Sequence, residues 1–460
     1  MRGLSIVAAA ALAGCLDGPV GVVVRPAPMI DAAVVVTNLH NALSAVVSVR
    51  VRNADSVSVR IHPMADDSVT PAMAPVDDAA SIPVLGLRPE QRYTLRAVAH
   101  GPGGTTAGEA LEITTDPLPT DLPRYTAGGS DPSSGYVVFA AGMYGVVIDN
   151  AGRVAWYHRF VNGPGLNFMA QPNGRYVARP STPPSGDLEP WVEIDPLGNV
   201  TRTLGCARGL QPRLHDLIAE LSGSYWIMCD ETRTMDLTAE GGVAEARVTG
   251  TVVQHVGADG AVLFEWNPFD HFAITDLEQA ERTGASVNWM HGNAIDLDTD
   301  GNLIASFRSL GEITKIDTRT GAVIWRMGGR RNQFEFLDTP LPAFARQHGA
   351  RRYAAGALVI LDNVGNPAES RAERFVIDEA AHTARLAHSY GSVPGVVTQI
   401  GGSVQPLPDG RTLVSFGTEG RVEEYDAEGR VTWSIQGNAG YVFRAQRISS
   451  LYAPGVGTAR

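Results

Sequence analysis

The chain has 460 residues, 44% hydrophobic, 19% charged and 7% aromatic, a balance that excludes a disordered or collagenous protein. A net charge of −12 leaves no cationic excess to neutralise a run of phosphates, which excludes a nucleic-acid scaffold. An anionic substrate would therefore need a local cationic pocket.

Met1-Arg2, an apolar stretch over residues 4–12 and Ala13-Gly14-Cys15 follow one another in secretory order. The apolar stretch is too short to span a bilayer, and no later segment is long and apolar enough to do so. Leu12-Ala13-Gly14-Cys15 resembles a bacterial lipobox, so residues 1–15 are expected to be a lipoprotein signal peptide whose Cys15 carries lipid. The expected location is extracytoplasmic, in the periplasm or at the cell surface, with the membrane contacted through that anchor. In such an oxidising compartment Cys206 and Cys229 are expected to pair, because neither has a CxxC or zinc-type spacing.

Residues 28–116 read as short β-runs separated by polar or glycine turns. Leu85-Gly86-Leu87-Arg88-Pro89 before Tyr93-Thr94-Leu95-Arg96-Ala97 resembles the loop and tyrosine-corner strand of a fibronectin type III sandwich, a module that usually acts as a spacer. His40, His62 and His100 have no partnered carboxylate or glycine motif and read as surface or strand histidines. A Pro- and Asp-rich linker, 116–123, follows.

From residue 125 to 452 a repeat appears, in which a strand, a turn on Asp and Gly, and a second strand often ending in Trp recur. Its first signature residues are Asp149, Asp195, Gly257, Asp317, Asp378 and Asp426, spaced 46 to 62 apart. The fifth instance lacks its glycine. Second hairpins with glycine turns at Gly174, Gly223, Gly301, Gly356 and Gly410 make each repeat about four short antiparallel strands. The fold class is therefore all-β, a six-bladed β-propeller after a small fibronectin type III or Ig-like sandwich.

Counting back eight residues from four of those glycines reaches Leu166, His215, His348 and Gly402, and counting back ten in the blade expected to have a longer turn reaches His291. Three consecutive blades thus put histidine at one repeat position. The first strand of each propeller blade lines the central channel, so the three imidazoles are expected to converge. Arg308 follows the next strand of the His291 blade, and its forked, permanently charged guanidinium suits sulfuryl or phosphoryl oxygens. A zinc site with three imidazoles would place a dication beside that cation, and no HExxH or nearby carboxylate ligand is evident. Covalent catalysis by a neutral imidazole is the favoured alternative, with no metal and no cofactor. A quinone-dependent dehydrogenase would share the tryptophan-bearing blades, but no calcium cluster or cofactor-binding acid accompanies them.

Asn288-Trp289-Met290-His291-Gly292-Asn293, then Asp300-Gly301-Asn302-Leu303-Ile304-Ala305-Ser306-Phe307-Arg308, resembles the central motif of bacterial arylsulfate sulfotransferases. His215-Asp216-Leu217, Gln347-His348-Gly349 and Tyr441-Val442-Phe443-Arg444-Ala445 resemble that family's other landmarks. The resemblance implies sulfuryl transfer from an aryl sulfate to a phenol, without a nucleotide sulfate donor, through a sulfohistidine. Residue by residue it implies His348 as nucleophile and His215, His291 and Arg308 around the transferred group, with a protonated histidine aiding departure of the phenolate. Asn293 and Arg444 are the implied substrate-binding residues, although Arg444 would equally suit closing the ring of blades by bonding to carbonyls. The lipobox, the 57-residue spacing from His291 to His348 and the lack of a match between Gly328 and Phe344 mark a divergent member. The competing reading is a non-catalytic propeller lipoprotein that binds a surface ligand.

Overall fold

A computed structural model describes residues 25–454 except 65–67, 162, 181–189, 355 and 366–367. Cys15 and the signal-peptide expectation lie outside the described residues. The described chain is all-β apart from five short 3-10 turns.

Two compact units are present, one of residues 25–35, 47–82 and 94–112, the other of 36–46, 83–93 and 113–454. In the amino-terminal stretch, Met29–Thr37, Ser44–Arg52 and Ala79–Leu85 make one three-stranded sheet, and Ser56–His62, Arg92–Gly101 and Gly104–Thr114 another. The division between units falls within 28–116 rather than at its ends. Its reason is packing: Leu43 is buried in a cluster with Leu122 and Phe139, and Leu85 in one with Val138 and Ile448. The Tyr93 hydroxyl accepts a hydrogen bond from the Arg88 backbone N–H at 2.7 Å, the corner expected from the loop sequence.

The larger unit contains six successive sheets of four or five strands, antiparallel except where Ser286–Asn288 and Glu335–Leu337 each add to one of them in parallel. Their first strands are Ala445–Ile448, Gly165–Ala170, Gln211–Ala219, Gly292–Leu297, His348–Ala354 and Ser403–Pro406. Each contacts the next in that order, and the last contacts the first, so these strands form a closed cycle. The chain ends close it. Ala445–Ile448 pairs with Tyr136–Ala141 in the first sheet, and Ala127–Gly128 pairs with Val431–Ile435 in the last.

Aspartates start the repeated outer turns because a short carboxylate can accept from the backbone N–H groups that the turn leaves free. Asp149, Asp195 and Asp426 each accept from residues two and four positions on, and Asp317 and Asp378 from residues two and three on. The glycine missing from the fifth turn is replaced functionally by His382, at φ 52, one residue beyond the expected position. Trp156, Trp266, Trp325 and Trp433, on the strands after these turns, are at most 1% exposed and anchor each sheet to its neighbour.

The reason His291 lies further from its hairpin differs from expectation. The turn from Asp298 to Gly301 closes with the same i to i+3 hydrogen bond as those ending at Gly174, Gly223 and Gly410, so it is not longer. His291 instead stands one residue before the strand, with a left-handed φ of 47, and the register slips by one residue between Gly292 and Ala294 as it also does between Gly165 and Asn167.

Candidate active site

His215 lies within the strand Gln211–Ala219, His291 immediately precedes Gly292–Leu297, and His348 opens His348–Ala354. Because these are the first strands of three successive sheets, the side chains meet. The rings of His215 and His291 are 4.9 Å apart and those of His215 and His348 6.4 Å, while Phe443 packs edge-on against His215 and His348. His348 is 1% exposed and His215 7%, whereas His291 is half-buried, so the cluster meets solvent at His291.

The environment keeps all three imidazoles neutral. Burial pushes His348 down to about 4, with the charges of Arg308 and Arg444 adding to it against the opposing hydrogen bond from Asn363. Burial, then Arg213, Arg308 and the neighbouring His348, take His291 to about 2. His215 is lowered well below 6.5 by burial first and Arg213 second. Burial among guanidinium groups disfavours a further cation and so works against the expected protonated histidine. A neutral N–H remains available as a donor.

Hydrogen bonds fix where those protons are. Nδ1 of His348 faces two acceptors, the Asn363 Oδ1 at 2.8 Å and the Arg346 carbonyl at 3.1 Å, so Nδ1 carries the hydrogen and Nε2 the lone pair. The Gly401 N–H points at that Nε2 from 3.4 Å. For His291 the arrangement is reversed: Asn288 Nδ2 donates to Nδ1 at 2.7 Å, which leaves the hydrogen on Nε2. Among the described residues no three His, Cys, Asp or Glu side chains are placed to hold a metal together.

Arg308 is half-buried, its backbone N–H bonded to the His291 carbonyl at 3.0 Å and its guanidinium to the Gln399 carbonyl at 3.1 Å. It also lines a cavity of about 550 Å³ with Leu310, Phe336, Leu341, Phe344 and Arg346. Acidic side chains in that wall are already paired, Asp276 with Arg326 and Arg331, Glu278 with Arg330, and Glu281 with Arg346. The cavity lies at the strand ends that carry His291 and His348. Its walls include the stretch from Gly328 to Phe344, where the family motifs had no counterpart.

Asn293 and Arg444 face protein groups. Asn293 is fully buried and donates through Nδ2 to the Gln347 carbonyl at 2.6 Å, bracing the peptide that leads into His348. Arg444, 3% exposed, bonds not to carbonyls but to the Asp216 carboxylate at 2.6 Å and the Met169 sulfur at 2.7 Å, because a buried guanidinium beside a buried carboxylate gains most from the charge pair. Cys206 and Cys229 form a disulfide with Cα atoms 6.1 Å apart in the sheet that carries His215. Asn363, Asn288, Arg346 and Phe443 escaped sequence reasoning as site residues. Asn288 and Phe443 stood inside motifs already singled out; Asn363 follows an ordinary apolar strand and carried no signal.

A closed cycle of β-sheets thus gathers three imidazoles and, beside them, a guanidinium at the ends of successive first strands. Residues 212–438, just under half of the chain, match the family model for arylsulfotransferase (ASST), which supports membership of that family. The match supports a sulfotransferase at family level, with aryl sulfates and phenols as the implied substrates. No curated protein matched the sequence. Among solved structures, a protein of unknown function from Bacteroides caccae is 11% identical over 68% of this chain and 98% of its own, with a TM-score of 0.44. An inactive virginiamycin B lyase from Staphylococcus aureus with quinupristin is also 11% identical, over 67% of this chain and 87% of its own, at 0.38. Neither likeness bears on what this protein does.

Proposed function

We propose that the protein moves a sulfuryl group from an aryl sulfate ester to a phenolic acceptor through a sulfohistidine on His348, with no nucleotide donor. The observation that carries this reading is the convergence of His215, His291 and His348, within the family-matched region, around an imidazole whose Nδ1 holds the hydrogen and whose Nε2 lone pair meets the Gly401 N–H at a long 3.4 Å. The Nε2 of His348 attacks sulfur, the aryl oxygen leaves with the S–O electron pair, and the Nε2–H of His291 donates a hydrogen bond to the departing phenoxide. Arg308 and the Gly401 N–H neutralise sulfuryl oxygens as charge builds on them. In the second half-reaction a phenol gives its proton to a neutral imidazole and takes the sulfuryl group from Nε2.

The cavity beside Arg308 seats the aryl group, because its apolar walls adjoin the one guanidinium suited to the sulfate. The six sheets are the blades of a propeller and the amino-terminal sheets a fibronectin type III-like spacer, supported by the closed cycle of first strands and the Tyr93 corner. A lipid anchor on Cys15 would hold the enzyme outside the cytoplasm, a location the disulfide favours. The test is release of p-nitrophenol from p-nitrophenyl sulfate with phenol as acceptor, without nucleotide or metal. Acceptor-dependent turnover supports the reading, and its absence in folded protein would reject it.

A further inference from the structure

The hydrogen-bond pattern around His348 singles out a residue that neither the motifs nor the repeat brought forward. Asn363 is fully buried at the end of the strand Ala357–Asp362. Its Nδ2 donates to the Thr398 carbonyl at 2.8 Å and to the Gly401 carbonyl at 3.1 Å. Carbonyls only accept, so both amide hydrogens are committed and the amide cannot turn over. Its Oδ1 is thereby held toward His348 Nδ1. The backbone beneath it is fixed in turn, since Ser370 Oγ donates to the Asn363 carbonyl at 2.8 Å and accepts from the Thr398 N–H at 2.7 Å.

We propose that Asn363 is a positioning residue that selects Nε2 of His348 as the nucleophilic atom by holding the hydrogen on Nδ1. This rests on the sulfohistidine reading. An unrestrained neutral imidazole exchanges its hydrogen between two nitrogens, and with Nδ1 turned to the Asn363 oxygen and the Arg346 carbonyl only the tautomer with a lone pair at Nε2 can attack. When Nε2 bonds to sulfur, the S–O bond to the aryl group breaks and its electron pair leaves on the aryl oxygen. The ring keeps its Nδ1 hydrogen and acquires positive charge, which the Asn363 oxygen and the Arg346 carbonyl stabilise as dipoles. Transfer to the acceptor returns the S–N electron pair to Nε2 and restores the neutral ring with its hydrogen still on Nδ1.

Asn363 therefore spares His348 from a change of tautomer in either half-reaction. The charged and titratable groups around this imidazole are Arg308, Arg444 and His215; Asp362, next to Asn363 in the chain, instead accepts from the Ala345 N–H at 2.9 Å. None of them offers Nδ1 the acceptor that Asn363 supplies.

Two substitutions separate positioning from support. Asn363→Ala removes the acceptor and both donations, whereas Asn363→Asp keeps an oxygen toward Nδ1 and loses the donations to Thr398 and Gly401. The readouts are the His348 tautomer in full-length protein labelled with 15N-histidine, assigned by difference against His348→Asn, and the burst of p-nitrophenol from p-nitrophenyl sulfate. Wild type should show Nδ1–H, and Asn363→Ala a mixture of tautomers with a burst rate about tenfold lower or more. Asn363→Asp should restore the Nδ1–H tautomer and at least half the wild-type burst rate. An Asn363→Ala protein that keeps Nδ1–H, or an Asn363→Asp protein as impaired as Asn363→Ala in both readouts, would overturn the assignment. Should Asn363→Ala fail to fold, the wild-type tautomer and the Asn363→Asp pair of readouts still decide it. A wild type that shows Nδ1–H but gives no burst would instead reject the sulfohistidine reading.

Discussion

Arg444 and Asp216 form a buried ion pair at 2.6 Å that joins the segment leading into the last strand of the chain to the strand that carries His215. The other oxygen of Asp216 accepts from Arg351 at 2.8 Å and from the Ile295 N–H at 2.9 Å, so one carboxylate ties together four first strands or their flanks. Removing Arg444 leaves the buried carboxylate with one guanidinium, that of Arg351, and the N–H groups of Leu217 and Ile295. Arg444→Met should cost about 3 kcal/mol of stability in urea unfolding, the scale expected when one partner of a buried pair is lost. Unchanged stability would show that the pair is not what holds the closure.

The buried histidines make stability depend on acid. His348 has a pKa near 4 when folded against 6.5 in an unfolded chain, so below pH 6.5 the unfolded state takes up a proton that the folded state refuses. Stability should therefore fall as pH drops from 6.5 toward 4. His348 alone contributes on the order of 3 kcal/mol across that window. Replacing His348 by Gln should flatten the slope of unfolding free energy against pH over the same range, and an unaltered slope would contradict the neutral, buried assignment. The same depression keeps Nε2 unprotonated, so the acid limb of kcat/KM for the donor should lie near pH 4 to 5 in protein that remains folded.

Leu341 projects into the cavity beside Arg308 from the stretch where family motifs were absent, and it is 69% exposed, so it can be changed without emptying the core. Leu341→Ala should lower kcat/KM for a bulky aryl sulfate about tenfold, the effect of losing one apolar contact. Inorganic sulfate should bind the variant nearly as well as wild type if the loss lies in aryl recognition. An equal effect on both ligands would place the cavity outside the aryl site.

The Cys206–Cys229 bond encloses one hairpin-sized loop that includes His215. Closing a loop of this length stabilises by roughly 3 kcal/mol in the chain-entropy model. Reduction should lower the urea midpoint and loosen the site, measured as a weaker affinity for an aryl sulfate donor. Free thiols at both positions in unreduced protein, found by mass spectrometry, would end this account of the loop.

What the sequence disclosed follows from which features are local. Turn chemistry is local, so Asp149, Asp195 and Asp426 marked their hairpins, and alignment on the hairpin glycines placed His215, His291 and His348 at equivalent positions. The rule broke where the backbone departed from regularity. His291 stands with a left-handed φ just before a one-residue bulge, and the fifth outer turn uses a left-handed His382 one residue beyond where glycine was sought, conformations that L residues seldom adopt. Partners distant in the chain were not legible. Asn363 lies 15 residues from His348 and Asp216 lies 228 from Arg444, and nothing in their neighbouring residues announces those contacts. The electrostatics also depend on assembly: burial first, and then nearby guanidinium groups, disfavour the proton that an unperturbed imidazole would partly hold.

The most direct test of the whole account is to incubate the enzyme with an aryl sulfate alone, quench at alkaline pH and map the modified peptide. One sulfuryl group on His348, discharged when phenol is added before the quench, is the predicted result. A label on His215 or His291, or acceptor-dependent turnover with no label on any histidine, would contradict it.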